Sequence, residues 1–183
     1  MNMLRRYTPA ARHAMARAAL LSLDAGRRTL DEDVILLALA ETRPFEHPLD
    51  AFSLSPDAIR PEILSPTDHD LLATLGIDLT RVRHRMSTVI PLDDPTRWHL
   101  HRSPTRPLRL TLSGPPGDLP LTPRARKVIE VAANHHHTPQ ITGEDLLRGL
   151  LADGSNHAVT LLHHHGIPLR PLATALNFLS KAA

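Results

Sequence analysis

Residues 121–132 read LTPRARKVIEVA, and residues 7–18, far upstream, read YTPAARHAMARA. Both stretches place Thr-Pro in front of a run of small and basic residues. Threonine is a good helix cap, and proline suits the first helical position because its missing N–H would have no partner there. The repeated stretch therefore predicts two helices that begin in the same way, after Thr8 and Thr122, in two copies of one structural unit.

A second helix follows in each copy. Asp31 precedes an acidic turn and the apolar run VILLALA, and Thr142 precedes GEDLLRGLLA, with Asp145 placed for an approximate capping box. Two further helical patterns complete each copy: TDHDLLATLG and LTRVRHRMSTVI in the first, HAVTLLHHH and IPLRPLATALNFL in the second. Aromatic residues make up only 3% of the chain, which argues against packed β-layers. We expect an all-α fold, a tandem duplication of a four-helix repeat.

The two copies differ in their connections. The first repeat, residues 1–90, holds an insertion at about 42–66, whose apolar residues predict a loop that covers the core with a helical turn near SPDAIRPEI. Residues 91–119 form a Pro/Arg-rich linker, in which WHLHR and LRLTL alternate about a turn, the pattern of a short hairpin. The second repeat is residues 120–183. Because a four-helix unit of about 70 residues is near the lower limit for a core, we expect both repeats to form one globular domain with pseudo-twofold symmetry.

Net charge, cysteine content and the lengths of apolar runs limit the class of protein. The 21 basic and 19 acidic residues leave a net charge of +2, too small to draw the whole molecule onto nucleic acid or a membrane surface. The chain has no cysteine, and we see neither a signal-peptide pattern nor a membrane-length apolar run. We therefore expect a cytoplasmic protein without a membrane partner.

The tandem pattern resembles the Clp N-terminal domain, the double four-helix module at the front of Clp-type AAA+ unfoldases. The resemblance rests on TPRARKVIEVA, ITGEDLLRGLLADGSN and LLHHHGIPL, in that order, and on the matching first copy. The sequence has no G-x-x-x-x-G-K-[ST] loop to hold nucleotide phosphates. The resemblance therefore implies a bacterial accessory, adaptor or decoy without an ATPase domain, a monomer or weak dimer whose partners are a Clp ATPase, its adaptors or its substrates.

The resemblance also implies a ligand. Gram-positive members of the family recognise phosphorylated arginine, with a threonine at a helix N-terminus for the phosphate and an acidic residue at the start of the second helix for the guanidinium. These roles correspond to Thr8 and Thr122, and to Glu144 and Asp33. Asp33 is the poorer match because aspartate has the shorter reach. Helix capping is the alternative interpretation of all four residues.

A hydrophobic ligand surface is a second implication of the family resemblance. Actinobacterial members bind hydrophobic cyclic peptides beside their first helices, through aromatic residues just before each Thr-Pro. The corresponding or adjacent residues here are Leu4, Tyr7 and Leu121. Because only Tyr7 is aromatic, the match to this binding surface is weak.

The linker supplies an alternative function, that of a nucleic-acid-binding regulator. Arginine binds phosphate, and the indole of Trp98 could stack on a base. The arginines of this set are Arg97, Arg102, Arg106 and Arg109. The competing interpretation is a linker whose tryptophan docks on a helix.

Metal sites and catalytic motifs are not predicted. The histidine runs 135–137 and 163–165 cannot aim three imidazoles at one ion from a regular helix, and the sequence places no cysteine or close carboxylate beside them. No nucleophile motif such as G-x-S-x-G occurs. We expect no metal, no cofactor and no enzymatic activity.

Overall fold

The computed structural model describes residues 2–64, 94–103, 109–135 and 139–182, without side-chain detail at 135 and 177–182. The helices expected at TDHDLLATLG and LTRVRHRMSTVI lie outside these residues. Two short 3-10 turns occur at Met3–Arg6 and Pro95–Arg97. The α-helices described are α1 (Pro9–Asp24), α2 (Glu32–Thr42), α3 (Pro56–Ile63), α4 (Pro123–His135), α5 (Gly143–Leu151), α6 (His157–His164) and α7 (Leu169–Ala182).

Helices α1, α4 and α5 begin after the predicted capping threonines, whereas Asp31, also predicted as a cap, precedes α2 without a side-chain cap bond. Thr8 Oγ1 accepts a hydrogen bond from the Ala11 N–H, and Thr122 Oγ1 accepts one from the Ala125 N–H, each at 3.3 Å. The predicted capping box of α5 is confirmed, since Thr142 and Asp145 each accept the other's backbone N–H. Local sequence is enough to set these starts because each cap bonds within its own first turn.

Two helices end in the same left-handed glycine turn. Gly26 follows α1 with φ of 68°, and Gly166 follows α6 with φ of 70°. In each turn the next residue closes the helix, as the Arg27 N–H donates to Ser22 O and the Ile167 N–H to Leu162 O, both at 2.9 Å. This Schellman geometry fixes the direction in which the chain leaves the helix.

A three-stranded antiparallel sheet corrects the all-α expectation. Strands β1 (His99–Arg102), β2 (Leu110–Gly114) and β3 (Gly117–Pro120) lie in the order β1-β2-β3. Leu100 pairs with Leu112, and Leu112 with Leu119. All three side chains are buried. Alternating leucines therefore supply one apolar face. The third strand, which the sequence pattern does not predict, follows a two-residue turn after β2.

Two isolated parallel bridges tie the N-terminal half, up to residue 64, to the C-terminal half, from residue 120. Tyr7 pairs with Ile141, and Leu30 pairs with Leu121. The Thr8 N–H donates to Ile141 O at 2.9 Å, and the Thr122 N–H donates to Leu30 O at 3.0 Å. We call these the crossed bridges, because each joins the start of a first helix in one half to the start of a second helix in the other.

The core runs through both halves. Every residue from Val34 to Ala40 in α2 is buried, as the continuous apolar run predicts, and α2 packs on α1, α5 and α6. Gly149 lets α4 and α5 approach closely, because a Cβ there would overlap the Val128 carbonyl oxygen. None of the described helices combines the length and hydropathy needed to cross a membrane.

The inserted segment covers this core and contains the expected helix, α3. Phe52, Leu54 and Ile59 are buried, and the Phe45 and Phe52 rings meet edge to face at 5.3 Å. Arg43 secures the segment by donating to Phe52 O at 2.9 Å. The predicted covering role of the insertion therefore holds for the part of it that is described.

Candidate functional site

An open depression lies where the N-termini of α2 and α4 meet, beside the bridge between Leu30 and Leu121. Its volume is about 420 Å³, and we call it the Thr122 depression. Two of the four predicted ligand residues, Asp33 and Thr122, lie in it. The lining residues are Arg27, Asp31, Glu32, Asp33, Thr122, Pro123, Arg124 and His157.

The carboxylate of Asp33 already holds a guanidinium, that of Arg27. Nη1 of Arg27 lies 3.0 Å from Oδ1 of Asp33, and Nη2 lies 3.2 Å from Oδ2, which is a bidentate pair. The same guanidinium also donates to Asp31 Oδ2 at 3.1 Å and to the Ile63 carbonyl. The glycine turn after α1 places Arg27 here, and no sequence motif marks this residue.

Three carboxylates and two guanidinium groups line the depression, with the imidazole of His157 beside them. Burial and the neighbouring charge of Asp33 raise the pKa of Asp31, while Arg27 and a hydrogen bond with Thr122 oppose the shift. Oε1 of Glu32 lies 3.7 Å from Nη1 of the exposed Arg124, and Nδ1 of His157 lies 3.5 Å from Oδ2 of Asp33. This arrangement favours a cationic group of a ligand over an isolated anion.

The other two predicted ligand residues lie at the start of α1 and α5. Glu144 is only 5% exposed, and its Oε1 accepts the backbone N–H groups of Glu46 at 2.6 Å and His47 at 3.1 Å. Its Oε2 is buried and has no hydrogen-bond partner among the described residues. Residues 46 and 47, which follow α2, thus cover the carboxylate of Glu144. This residue matches the family's acidic position better than Asp33 does.

The structure pairs these residues across the halves. Thr122 of the C-terminal half lies with Asp33 of the N-terminal half, whereas Thr8 lies beside Ile141, three residues before Glu144. Comparing the two copies along the sequence cannot reveal that each threonine lies with the second helix of the other half. The crossed bridges that bring them together join distant segments. Each candidate site is therefore shared between the halves.

The three residues of the predicted hydrophobic surface lie in the core. Leu4 and Tyr7 are fully buried, and Leu121 is 8% exposed. The crossed bridges draw Tyr7 and Leu121 inward, and burial also raises the pKa of the Tyr7 hydroxyl. These residues present no apolar surface to a ligand.

Trp98, the stacking residue of the nucleic-acid alternative, is also fully buried. It packs on Gly114, where a Cβ would overlap the indole ring. Its carbonyl accepts a hydrogen bond from Asn2 at 3.2 Å, which ties the sheet to the start of the chain. Arg97, Arg102 and Arg109 remain at the surface, but the indole is not available to stack on a base. Arg106 lies outside the described residues.

The histidine run at the end of α6 has a carboxylate beside it. Glu62 of α3 lies within 4.8 Å of ring nitrogens of His164 and His165. The expectation that no close carboxylate completes a histidine set is therefore wrong at this end of α6. The side chains of the other histidine run, residues 135–137, are not among those described.

The protein has the fold of a Clp N-terminal domain. The N-terminal domain of the caseinolytic protease associated chaperone ClpD from Arabidopsis thaliana matches it with a TM-score of 0.59 and 17% sequence identity. The match covers 98% of this chain and 97% of the ClpD domain. No protein-family model and no curated protein matches the sequence. At this identity, the likeness shows a common fold.

Proposed function

We propose that the protein is a non-catalytic, protein- or peptide-binding module of a bacterial Clp chaperone or protease system, in which it acts as an accessory, adaptor or decoy. The fold supports this proposal, because the matching domain belongs to a protease-associated chaperone. We further propose that the Thr122 depression binds an arginine side chain of a client protein, with phosphoarginine as the marked form.

The observation that carries the ligand proposal is the guanidinium of Arg27 in that depression. Asp33 binds it in a bidentate pair with Asp31 as a further acceptor, so these carboxylates have the geometry to bind a planar cation. Thr122 caps the N-terminus of α4 in the same depression, and a helix N-terminus favours a phosphate. Carboxylates that suit a cation and the positive end of a helix dipole thus lie side by side.

Arg27 also makes the proposal testable, because it would compete with a ligand arginine. The side chain of Arg27 is 24% exposed and, as part of this protein, already occupies Asp33 before any ligand arrives. A ligand guanidinium has to displace it from Asp33 or share that carboxylate. Replacing Arg27 by alanine removes the internal competitor and should strengthen ligand binding.

Titration calorimetry with three peptides of one sequence, carrying phosphoarginine, arginine or phosphoserine, tests the site. We expect the phosphoarginine peptide to bind, and Arg27→Ala to tighten its binding. Asp33→Asn should weaken binding by roughly 1.5–3 kcal/mol, the scale of a hydrogen bond to a charged group. Glu144→Gln is the matched control and should change little, because its carboxylate is covered by residues 46 and 47.

The result that would overturn the ligand proposal is an absence of heat with millimolar phosphoarginine peptide for both the native chain and Arg27→Ala. The proposed association with a Clp system is tested separately. Cross-linking of the tagged chain in its native cells, followed by mass spectrometry, should recover a Clp ATPase, an adaptor or a substrate. Recovery of none of these classes would contradict it.

A further inference from the structure

A carboxylate and two imidazoles converge between the inserted helix α3 and the end of α6. Oε1 of Glu62 lies 2.8 Å from Nε2 of His165, and Oε2 lies 3.4 Å from Nδ1 of His164. One ligand atom from each of the three residues lies within 4.8 Å of the others. We propose that these side chains form a binding site for a divalent transition-metal ion, with Zn²⁺ as the best-suited ion.

The helix end explains how adjacent histidines can face one ion. His164 is the last residue of α6, and His165 is its C-cap, where the backbone leaves the helical path. The Schellman turn at Gly166 holds that change of direction. The two rings consequently lie with centroids 5.3 Å apart and planes inclined at 52°, on the same side as Glu62.

The donor set determines the class of metal. Two imidazoles and one carboxylate suit Zn²⁺, and the imidazoles also suit Ni²⁺ and Cu²⁺, whereas Mg²⁺ and Ca²⁺ prefer oxygen ligands. Zinc ligands lie about 2.0–2.2 Å from the ion, so ligand atoms of a tetrahedral site are about 3.3–3.6 Å apart. The Glu62–His165 contact, at 2.8 Å, has to open slightly, whereas the Glu62–His164 contact, at 3.4 Å, already fits; the exposed side chains of Glu62 and His164 permit this adjustment.

The position of the site gives it a structural consequence. Glu62 belongs to the insertion of the N-terminal half, and the histidines belong to the C-terminal half. A bound ion would therefore fasten the insertion to α6. Three protein ligands also leave a coordination position for water or for a side chain of a partner.

Metal titration of the full chain tests the proposal. We expect Zn²⁺ to bind at one ion per chain and to raise the melting temperature, and Co²⁺ to give the visible absorption of a tetrahedral site. Glu62→Gln, His164→Asn and His165→Asn should each weaken binding at least about tenfold, since even outer-shell changes cost 10–100-fold. His163→Asn is the matched control, an exposed histidine of the same run outside the cluster.

Each titration is repeated with His135, His136 and His137 replaced by asparagine, so that the other histidine run cannot supply the signal. In that background the native cluster should still bind one ion. Loss of all binding there would overturn the proposal. It would also fail if Glu62→Gln left the affinity unchanged, or if His163→Asn weakened it as much as His164→Asn.

Discussion

At the scale of single residues, the crossed bridges leave polar atoms in unusual surroundings. Tyr7 is fully buried beside Ile141, and its hydroxyl has no hydrogen-bond partner among the residues that the structure describes. The ring adds apolar area to the core, whereas a buried hydroxyl without a partner costs free energy. Tyr7 is thus stabilising through its ring and destabilising through its oxygen.

Tyr7→Phe should therefore stabilise the protein. Removing the buried hydroxyl while keeping the ring should raise the free energy of unfolding by about 1 kcal/mol. Urea denaturation of the two chains under identical conditions measures the difference. A loss of stability would show that the hydroxyl has a partner in solution.

Among elements, the contact between the segment after α2 and the start of α5 depends on a glycine, which has no side chain to separate them. Gly143 is the first residue of α5, and a Cβ there would overlap the Pro44 carbonyl oxygen. Close contact at this point lets the backbone N–H groups of residues 46 and 47 reach Glu144. The glycine therefore keeps the carboxylate covered.

Gly143→Ala should displace this segment. Although alanine favours a helix, the overlap with Pro44 should destabilise the protein by about 1–3 kcal/mol, the range for overpacking. Hydrogen exchange at the Glu46 and His47 amides should also become faster. Gly154→Ala is the control, because a Cβ there meets nothing within 4 Å, and it should change stability by less than about 0.5 kcal/mol. Equal effects of both substitutions would contradict the assigned contact.

For the whole molecule, the sequence predicts features that depend on near neighbours. The caps at Thr8, Thr122 and Thr142 and the buried run of α2 follow from patterns within one helix. Glu62 and His165 are 103 positions apart, and the pair of Arg27 with Asp33 depends on the direction of the turn at Gly26, so no pattern within one helix predicts either contact. The sequence predicts only the first two strands of the sheet, because β3 consists of Gly, Asp, Leu and Pro and has little strand propensity. The site was therefore predictable as a set of residue types, but its pairing was not.

The shared core should make the two halves unfold together. The crossed bridges and the packing of α2 on α5 and α6 place apolar contacts between the halves. We expect one calorimetric transition whose van't Hoff and calorimetric enthalpies agree. Two separated transitions, or a calorimetric enthalpy well above the van't Hoff value, would show that the halves are independent units.

The crossed bridges also determine when the protein can fold during its synthesis. Tyr7 is translated well before its partner Ile141, which leaves the ribosome only after the long segment between them has been made. Until then, α1 and α2 hold apolar surface that belongs against α5 and α6. The N-terminal half is therefore exposed to premature association while the C-terminal half is being translated.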